Sequence, residues 1–292
     1  MKELIKIGKK VFPLNRSLTG KDNLKTLKEF KKFFFKLKIK SFRSGAEVYD
    51  WKIPDEWNVK EAYVEDRFQK KIIDIKNNSL HLVSYSKNKK KVLKKLRLMK
   101  NIYTNKKLKN AIPYVTSYYK KNWGFCITEN QKKIINNNYK DKDLFKIVIN
   151  SSFKKNGKMH YGEIFIPGKT QDEILISTYI CHPSMANNEL SGPLVSLALA
   201  KYFKKKKNKC SLRFIFVPET IGAIAYINKN FKKLKKNVKG GYILTCIGDE
   251  KNYSLLFSKY KNSLSDLAAI EAFKKLKIKF KKYNFLTRGS DE

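Results

Sequence analysis

The chain has 292 residues, and 42% of them are hydrophobic and spread along its whole length, which excludes a disordered chain as the default reading. Its formal net charge of +40 comes from 65 Lys and Arg against 25 Asp and Glu. The lysine runs are scattered over helix ends and connections, with no nucleic-acid-binding signature. We interpret the charge as a solvated surface that adheres to polyanions weakly and salt-sensitively, without a specific nucleic-acid partner.

The cysteines and the N-terminus indicate the compartment. Four cysteines without CxxC spacing stand within or beside apolar runs, which predicts reduced, buried thiols: Cys126, Cys181, Cys210 and Cys246. The N-terminus lacks the apolar run and cleavage site of a signal peptide, and no stretch approaches the ~20 apolar residues of a membrane span. We expect a soluble, cytoplasmic protein without a membrane span, and a homo-oligomer is left open.

Residues 1–45 begin with a short helix-like segment and a turn over residues 13–20. A helix is predicted from about Asp22, as N-cap, to Lys38. Its apolar stripe is Leu24, Leu27, Phe30, Phe34 and Leu37.

Residues 46–140 consist mainly of short alternating or β-branched runs, which predict an inserted small antiparallel β domain. The strand candidates are Glu47–Trp51, Ala62–Asp66, Lys71–Ile75, Leu80–Tyr85, Ile112–Tyr118 and Gly124–Thr128. A lysine-rich loop or helix interrupts them at about 87–110. We assign the many aromatic residues of this region to the core of the sheet rather than to a platform for bases.

From about residue 144 strands alternate with helices, which predicts a sheet with parallel pairs and helices on both faces. The strand candidates are Leu144–Asn150, Gly162–Ile166, Ile174–Ile180, Ser211–Val217, Gly241–Cys246, Ser254–Phe257 and Tyr283–Leu286. The helix candidates are Leu190–Lys206, Ile221–Leu234 and Ser263–Leu276. In such sheets the ligand site lies beyond the carboxyl ends of the strands.

Polar residues follow several of these strands and mark one candidate site. His182 and Glu189 follow one buried strand and could share a zinc ion, since zinc accepts imidazole and carboxylate ligands together. Glu219 follows another strand, where it could take a proton from a water that the metal activates. A structural histidine and ordinary helix-start carboxylates remain the alternatives. His81 and His160 are interpreted as packed or surface strand residues.

The chain also resembles a known family over essentially its whole length. The motifs that carry this resemblance are the segments 12–20, 49–54, 57–58, 111–119, 123–125, 161–163, 181–184 through 192–193, 218–222 and 288–292. They are similar to those of the cytosolic aminopeptidase-like proteins described as polysaccharide-biosynthesis proteins with an aminopeptidase domain. Those proteins resemble the zinc aminopeptidases of the bacterial leucyl type.

The resemblance implies an α/β fold with the three-layer mixed sheet of the zinc exopeptidases and an inserted β domain. The core would comprise residues 1–45 and 141–292, and the insertion residues 46–140. His182 matches the first metal ligand, and Glu219 matches the general base. Because the related enzymes continue beyond the motif at residues 288–292, with a later histidine, the resemblance implies a C-terminally incomplete core.

Several positions depart from the related enzymes. Asn188 stands where they carry a bridging Asp, and Glu189 comes directly after it. Thr220 replaces a ligand Glu, and Thr245 stands about where a ligand Asp would be. These changes favour one zinc over two, held by His182, Glu189 and a later residue.

The positions that remain are Asn188, Thr220, Thr245, Arg288 and Asp291, which we predict to contact the substrate or support the ligands. The resulting hypothesis is a zinc-dependent, aminopeptidase-type hydrolase of small peptide or amide substrates. The alternatives are a non-catalytic binding or scaffold protein of polysaccharide biosynthesis and, from the charge alone, a basic nucleic-acid-binding protein.

Overall fold

The structure is a computed structural model that describes residues 2–287 and residue 291. The helices are α1 (Lys2–Val11), α2 (Lys21–Phe33), α3 (Lys95–Leu98), α4 (Glu129–Asn138), α5 (Ser191–Phe203), α6 (Ile221–Asn237) and α7 (Leu264–Lys275). Short 3₁₀ helices span Ser79–His81, Met99–Asn101 and Phe285–Thr287. None of the helices in the described part of the chain is both long and apolar enough to cross a bilayer.

The strands are numbered in chain order. They are β1 (Lys38–Arg43), β2 (Glu47–Val48), β3 (Trp51–Lys52), β4 (Glu56–Glu65), β5 (Lys71–Asp74), β6 (Lys89–Lys94), β7 (Ile102–Tyr103), β8 (Phe125–Cys126), β9 (Leu144–Lys154), β10 (Lys158–Ile166), β11 (Glu173–Tyr179), β12 (Ser211–Val217), β13 (Val238–Ile243), β14 (Tyr253–Leu256) and β15 (Phe280–Tyr283).

A mixed five-stranded sheet forms the centre of the α/β part, in the order β1-β10-β12-β11-β13. Strand β11 pairs in parallel with both β12 and β13, whereas β10 runs antiparallel to its two neighbours. Along β12, Phe214 and Phe216 pack in one apolar cluster with α1, α2 and α5, and Ile215 and Val217 pack in another with Tyr226 of α6. This alternation, which the pleat of a strand requires, confirms the predicted three-layer α/β fold.

The middle region carries its own antiparallel sheet, in the order β5-β4-β9-β6. Its long central strand β9 pairs with β4 over residues 146–154 and with β6 over residues 144–149. Residues 144–154, which the sequence pattern groups with the α/β part, therefore extend the sheet of the middle region. The division into a core and an insertion of residues 46–140 stays a prediction.

Several element predictions were wrong in their bounds or type. The predicted strand Glu47–Trp51 is a turn flanked by β2 and β3, the predicted strand Tyr283–Leu286 ends in a 3₁₀ helix, and the segment 87–110 contains β6. Helix α2 begins after Gly20, with Asp22 inside its first turn, and ends at Phe33, because the chain must turn before β1 can pair with β10. The segments Leu80–Tyr85 and Ile112–Tyr118 form single bridges and a 3₁₀ turn instead of strands. Leu82 and Tyr85 nevertheless lie in the core, and a local pattern cannot distinguish such a buried loop from a strand.

Candidate metal centre

The parallel pairing of β11 and β12 brings the predicted site residues to one edge of the sheet. Tyr179 lies opposite Val217, so both strands end at the same level. His182 follows β11 by three residues, and Glu219 follows β12 by two. The spatial proximity of these two side chains is thus a direct consequence of strand register.

The imidazole of His182 lies between two carboxylates. Its Nδ1 atom contacts Oε1 of Glu189, and its Nε2 atom lies 3.3 Å from Oε2 of Glu219. The second oxygen of Glu189 accepts the backbone N–H of His182 at 3.1 Å. The side chain of Glu189 is fully buried, whereas that of Glu219 is 26% exposed. The site therefore has a closed side at Glu189 and an accessible side at Glu219.

The structure adds Cys181, which the sequence pattern indicated only as a packed thiol. Its Sγ lies 3.3 Å from Nδ1 of His182 and accepts the backbone N–H of Glu219 at 3.2 Å. One ligand atom from each of Cys181, His182, Glu189 and Glu219 lies within 4.8 Å of the others. The only sequence signal for this role was the position of the cysteine next to the candidate histidine.

The neighbouring charges set the protonation of the buried groups. Burial alone would lower the pKa of His182, but the carboxylates of Glu189 and Glu219 outweigh it and raise that pKa above its usual value. Burial, and then the same two carboxylates, raise the pKa of Cys181 well above its ordinary value. Without a metal, the pocket therefore holds a neutral thiol next to an imidazole that favours its charged form.

Two tyrosines of the middle region cover the site. The ring of Tyr114 lies 4.3 Å from that of His182, and its hydroxyl contacts the hydroxyl of Tyr118. Burial is the largest cause of the raised pKa of both phenols. The assignment of the aromatic residues to the sheet core holds for Trp57 and Tyr85, which stack in that core. It missed Tyr114, because the path of its loop places its ring against that of His182.

The remaining predicted residues lie around this cluster. The carbonyl oxygen of Asn188 accepts the hydroxyl of Thr245 at 3.3 Å. Thr220 has a φ of +60°, and its N–H donates to the carboxylate of Asp291. Arg288 lies outside the described residues. Among the described residues, Asp291 does not belong to the four-residue group that could hold a metal ion.

Two other predictions concern histidines and cysteines away from the site. His81 is buried, with Nδ1 2.7 Å from the carbonyl oxygen of Cys126, which agrees with its interpretation as a packed residue. All four cysteines are unpaired, but only Cys126 and Cys181 are buried. The prediction of buried thiols was wrong for Cys210 and Cys246, because both lie in connections outside the strands.

The donor set fits a zinc ion. Zinc binds nitrogen, sulfur and oxygen ligands in one site, and the cluster offers all three. The buried Oε1 atom of Glu189 faces Nδ1 of His182 and has no other partner among the described residues. A carboxylate oxygen and an imidazole nitrogen that face each other in a buried site are ligands that one zinc ion can share.

Comparisons with known proteins place the chain in a family. The sequence profile described as domain of unknown function DUF4910 matches residues 5–292. A Clostridium acetobutylicum protein named as a polysaccharide biosynthesis protein with an aminopeptidase-like domain is 42% identical over 253 residues. That match covers 86% of this chain and 56% of the relative, so the chain spans little more than half the relative's length.

Solved structures show the same fold. A crystal structure from Clostridium acetobutylicum superposes with a TM-score of 0.92 at 38% identity, covering 99% of this chain and 67% of that one. BSAP, a zinc aminopeptidase from Bacillus subtilis, superposes with a TM-score of 0.64 at 14% identity, covering 96% of this chain and 77% of that one. The chain therefore belongs to the DUF4910 family, and it has the aminopeptidase-like fold of the zinc peptidases.

Proposed function

We propose that the protein is a metal-dependent hydrolase that cleaves peptide or other amide bonds of small substrates. One zinc ion would be held by His182 and Glu189, with Cys181 close enough to complete the set. The observation that carries the proposal is the position of the His182 ring between the buried carboxylate of Glu189 and the accessible carboxylate of Glu219.

The roles of the side chains follow from their exposure. A bound zinc ion would supply Lewis-acid polarisation of the scissile carbonyl and lower the pKa of a water toward ~7. Glu219 is the carboxylate on the open side, and it would take a proton from the attacking water and pass it to the leaving amine. Tyr114 and the middle region would restrict the size of the substrate from above the His182 ring.

The proposal is tested with purified protein, metal analysis and amino-acid p-nitroanilides in added Zn²⁺ or Co²⁺. We expect about one zinc per chain, lost in His182→Ala. Glu219→Gln should keep the metal but lose at least ~100-fold in turnover, as removal of a general base does. The matched control is Glu271→Gln, which replaces an exposed carboxylate on α7. It should change neither the zinc content nor the turnover. Zinc far below one per chain, unaffected by His182→Ala, would contradict the proposal.

A second candidate is a non-catalytic binding or scaffold protein in polysaccharide biosynthesis. Asn188 and Thr220 favour it, since they stand where related enzymes carry carboxylates. The name of the Clostridium acetobutylicum relative is consistent with it. Turnover that depends on Glu219 would exclude this candidate. A cytoplasmic location is proposed for either function, supported by the four unpaired cysteines.

A further inference from the structure

The turn at residues 13–20 lies far from the metal cluster in sequence and contacts it in space. It is held in a fixed shape from α2: the N–H of Asn15 donates to Asp22, and the N–H of Ser17 donates to Asn23, both at 3.0 Å. The N–H of Ser184 donates to the carbonyl of Phe12 at 3.2 Å, which ties this segment to the loop of His182. These hydrogen bonds hold the turn in one shape and connect it to the loop of His182.

The side chain that this turn presents to the site is Arg16. It is 1% exposed, and its Nη1 atom donates to the carbonyl oxygen of Glu189 at 3.5 Å, across 173 residues of chain. Among the residues that the structure describes, none accepts a hydrogen bond from Nε or Nη2. Burial lowers the pKa of Arg16, and the negative charge of Glu189 is the largest effect that opposes it.

A guanidinium stays charged in proteins, and a buried charge is tolerated only with a compensating charge nearby. Glu189 is the buried acidic residue that Arg16 contacts, through its backbone carbonyl, and Glu189 in turn contacts both the backbone N–H and the ring of His182. The three residues thus form a buried chain from the turn to the imidazole. Partners of metal-binding side chains fix the orientation of those side chains and commonly change metal affinity 10–100-fold.

We propose that Arg16 is a positioning residue for the metal centre: it holds Glu189 in place, and Glu189 holds the His182 ring. This inference rests on the proposed metal function of His182. It assigns a role to the turn at residues 13–20, which contributes no candidate metal ligand of its own.

The test compares Arg16→Met and Arg16→Lys with Arg213→Met in the full chain. Arg213 is a second buried arginine, paired with Glu173 at the opposite end of β12, so it controls for the loss of any buried guanidinium. Zinc affinity is measured by competition with a chelating dye. The imidazole ¹⁵N signals of the metal-free protein give a readout independent of activity, and they are tractable because the chain has only three histidines.

We expect Arg16→Met to weaken zinc binding about 10–100-fold and to shift the His182 signals. Arg16→Lys, which keeps the charge, should recover part of the affinity. Arg213→Met, compared at a temperature where circular dichroism shows both variants folded, should leave both readouts unchanged. Wild-type affinity and signals in Arg16→Met would overturn the inference. So would equal losses in Arg16→Met and Arg213→Met. If the unaltered protein binds no zinc, the proposed function fails, and the imidazole signals alone decide the role of Arg16.

Discussion

Arg213 shows how single residues determine the stability of the central sheet. Its guanidinium donates to both carboxylate oxygens of Glu173, at 2.6 and 2.8 Å, and lies 3.3 Å from Glu163. All three side chains are buried between β10, β11 and β12. A bidentate arginine–carboxylate pair has the geometry that offsets the cost of burying both charges.

Removing one partner of this pair should therefore destabilise the fold. We expect Glu173→Gln to lower the free energy of unfolding by about 3 kcal/mol, because Arg213 would keep its buried charge without its closest counter-charge. The neighbouring Asp172 forms an exposed pair with Lys239 at 3.6 Å. Asp172→Asn should change stability by less than ~0.5 kcal/mol. Urea unfolding measures the stability of both variants. Equal losses would show that the buried pair stabilises the fold no more than the exposed pair does.

The first turn of α5 packs closely on the sheet beside the candidate metal centre. Gly192 lies in that turn, directly after the loop that carries His182 and Glu189. A Cβ atom there would overlap the carbonyl oxygen of Leu244 and the hydroxyl of Thr178. Backbone oxygen cannot move aside as a flexible side chain can, so this position requires glycine.

Substitution of Gly192 by alanine should therefore destabilise the protein, whereas an ordinary glycine-to-alanine change in a helix stabilises it. Alanine normally gains up to about 1 kcal/mol over glycine in a helix, but at Gly192 the overlap should destabilise the protein by about 2 kcal/mol. Gly8→Ala in α1 is the control, because its Cβ would meet only the tip of Leu194 at 3.0 Å. Thermal unfolding compares the two variants, and a stabilised Gly192→Ala would refute the packing argument.

The large positive charge makes the whole molecule sensitive to acid. Buried carboxylates whose pKa lies below its usual value are spread over both parts of the fold: Asp66, Glu163, Glu173 and Asp266. Burial by itself would raise each pKa, and hydrogen bonds and neighbouring positive charges outweigh it. Protonation of these groups also adds to a net charge that is already +40, which increases self-repulsion.

The sign of the pH dependence follows from these lowered pKa values. A carboxylate with a lower pKa in the folded than in the unfolded state stabilises the fold above its unfolded pKa of ~4, and this contribution disappears as the pH falls through the folded value. Urea midpoints should therefore decrease from pH 5 to pH 3. The decrease should be shallower in Glu173→Gln, which has one such group fewer. A midpoint that rises toward pH 3 would contradict this account.

Much of the fold and part of the site could be predicted from local patterns. The continuous apolar runs of β11 and β12 indicated strands covered on both faces, and the observed three-layer arrangement confirms this. His182 and Glu219 were recognisable because polar residues directly after such strands have no role in packing. Parallel pairing then brings them together, and that pairing is itself encoded in the alternation of strands and helices.

The sequence alone thus determined the α/β class and predicted the candidate site residues His182, Glu189 and Glu219, since periodicity and position relative to strand ends are local properties. Only the tertiary structure decided which distant groups approach them: the guanidinium of Arg16 at Glu189 and the ring of Tyr114 at His182. Both belong to loops, where no backbone period constrains the direction of a side chain. Their contacts depend on the path of the whole chain around the sheet, and that path follows from packing rather than from any local pattern.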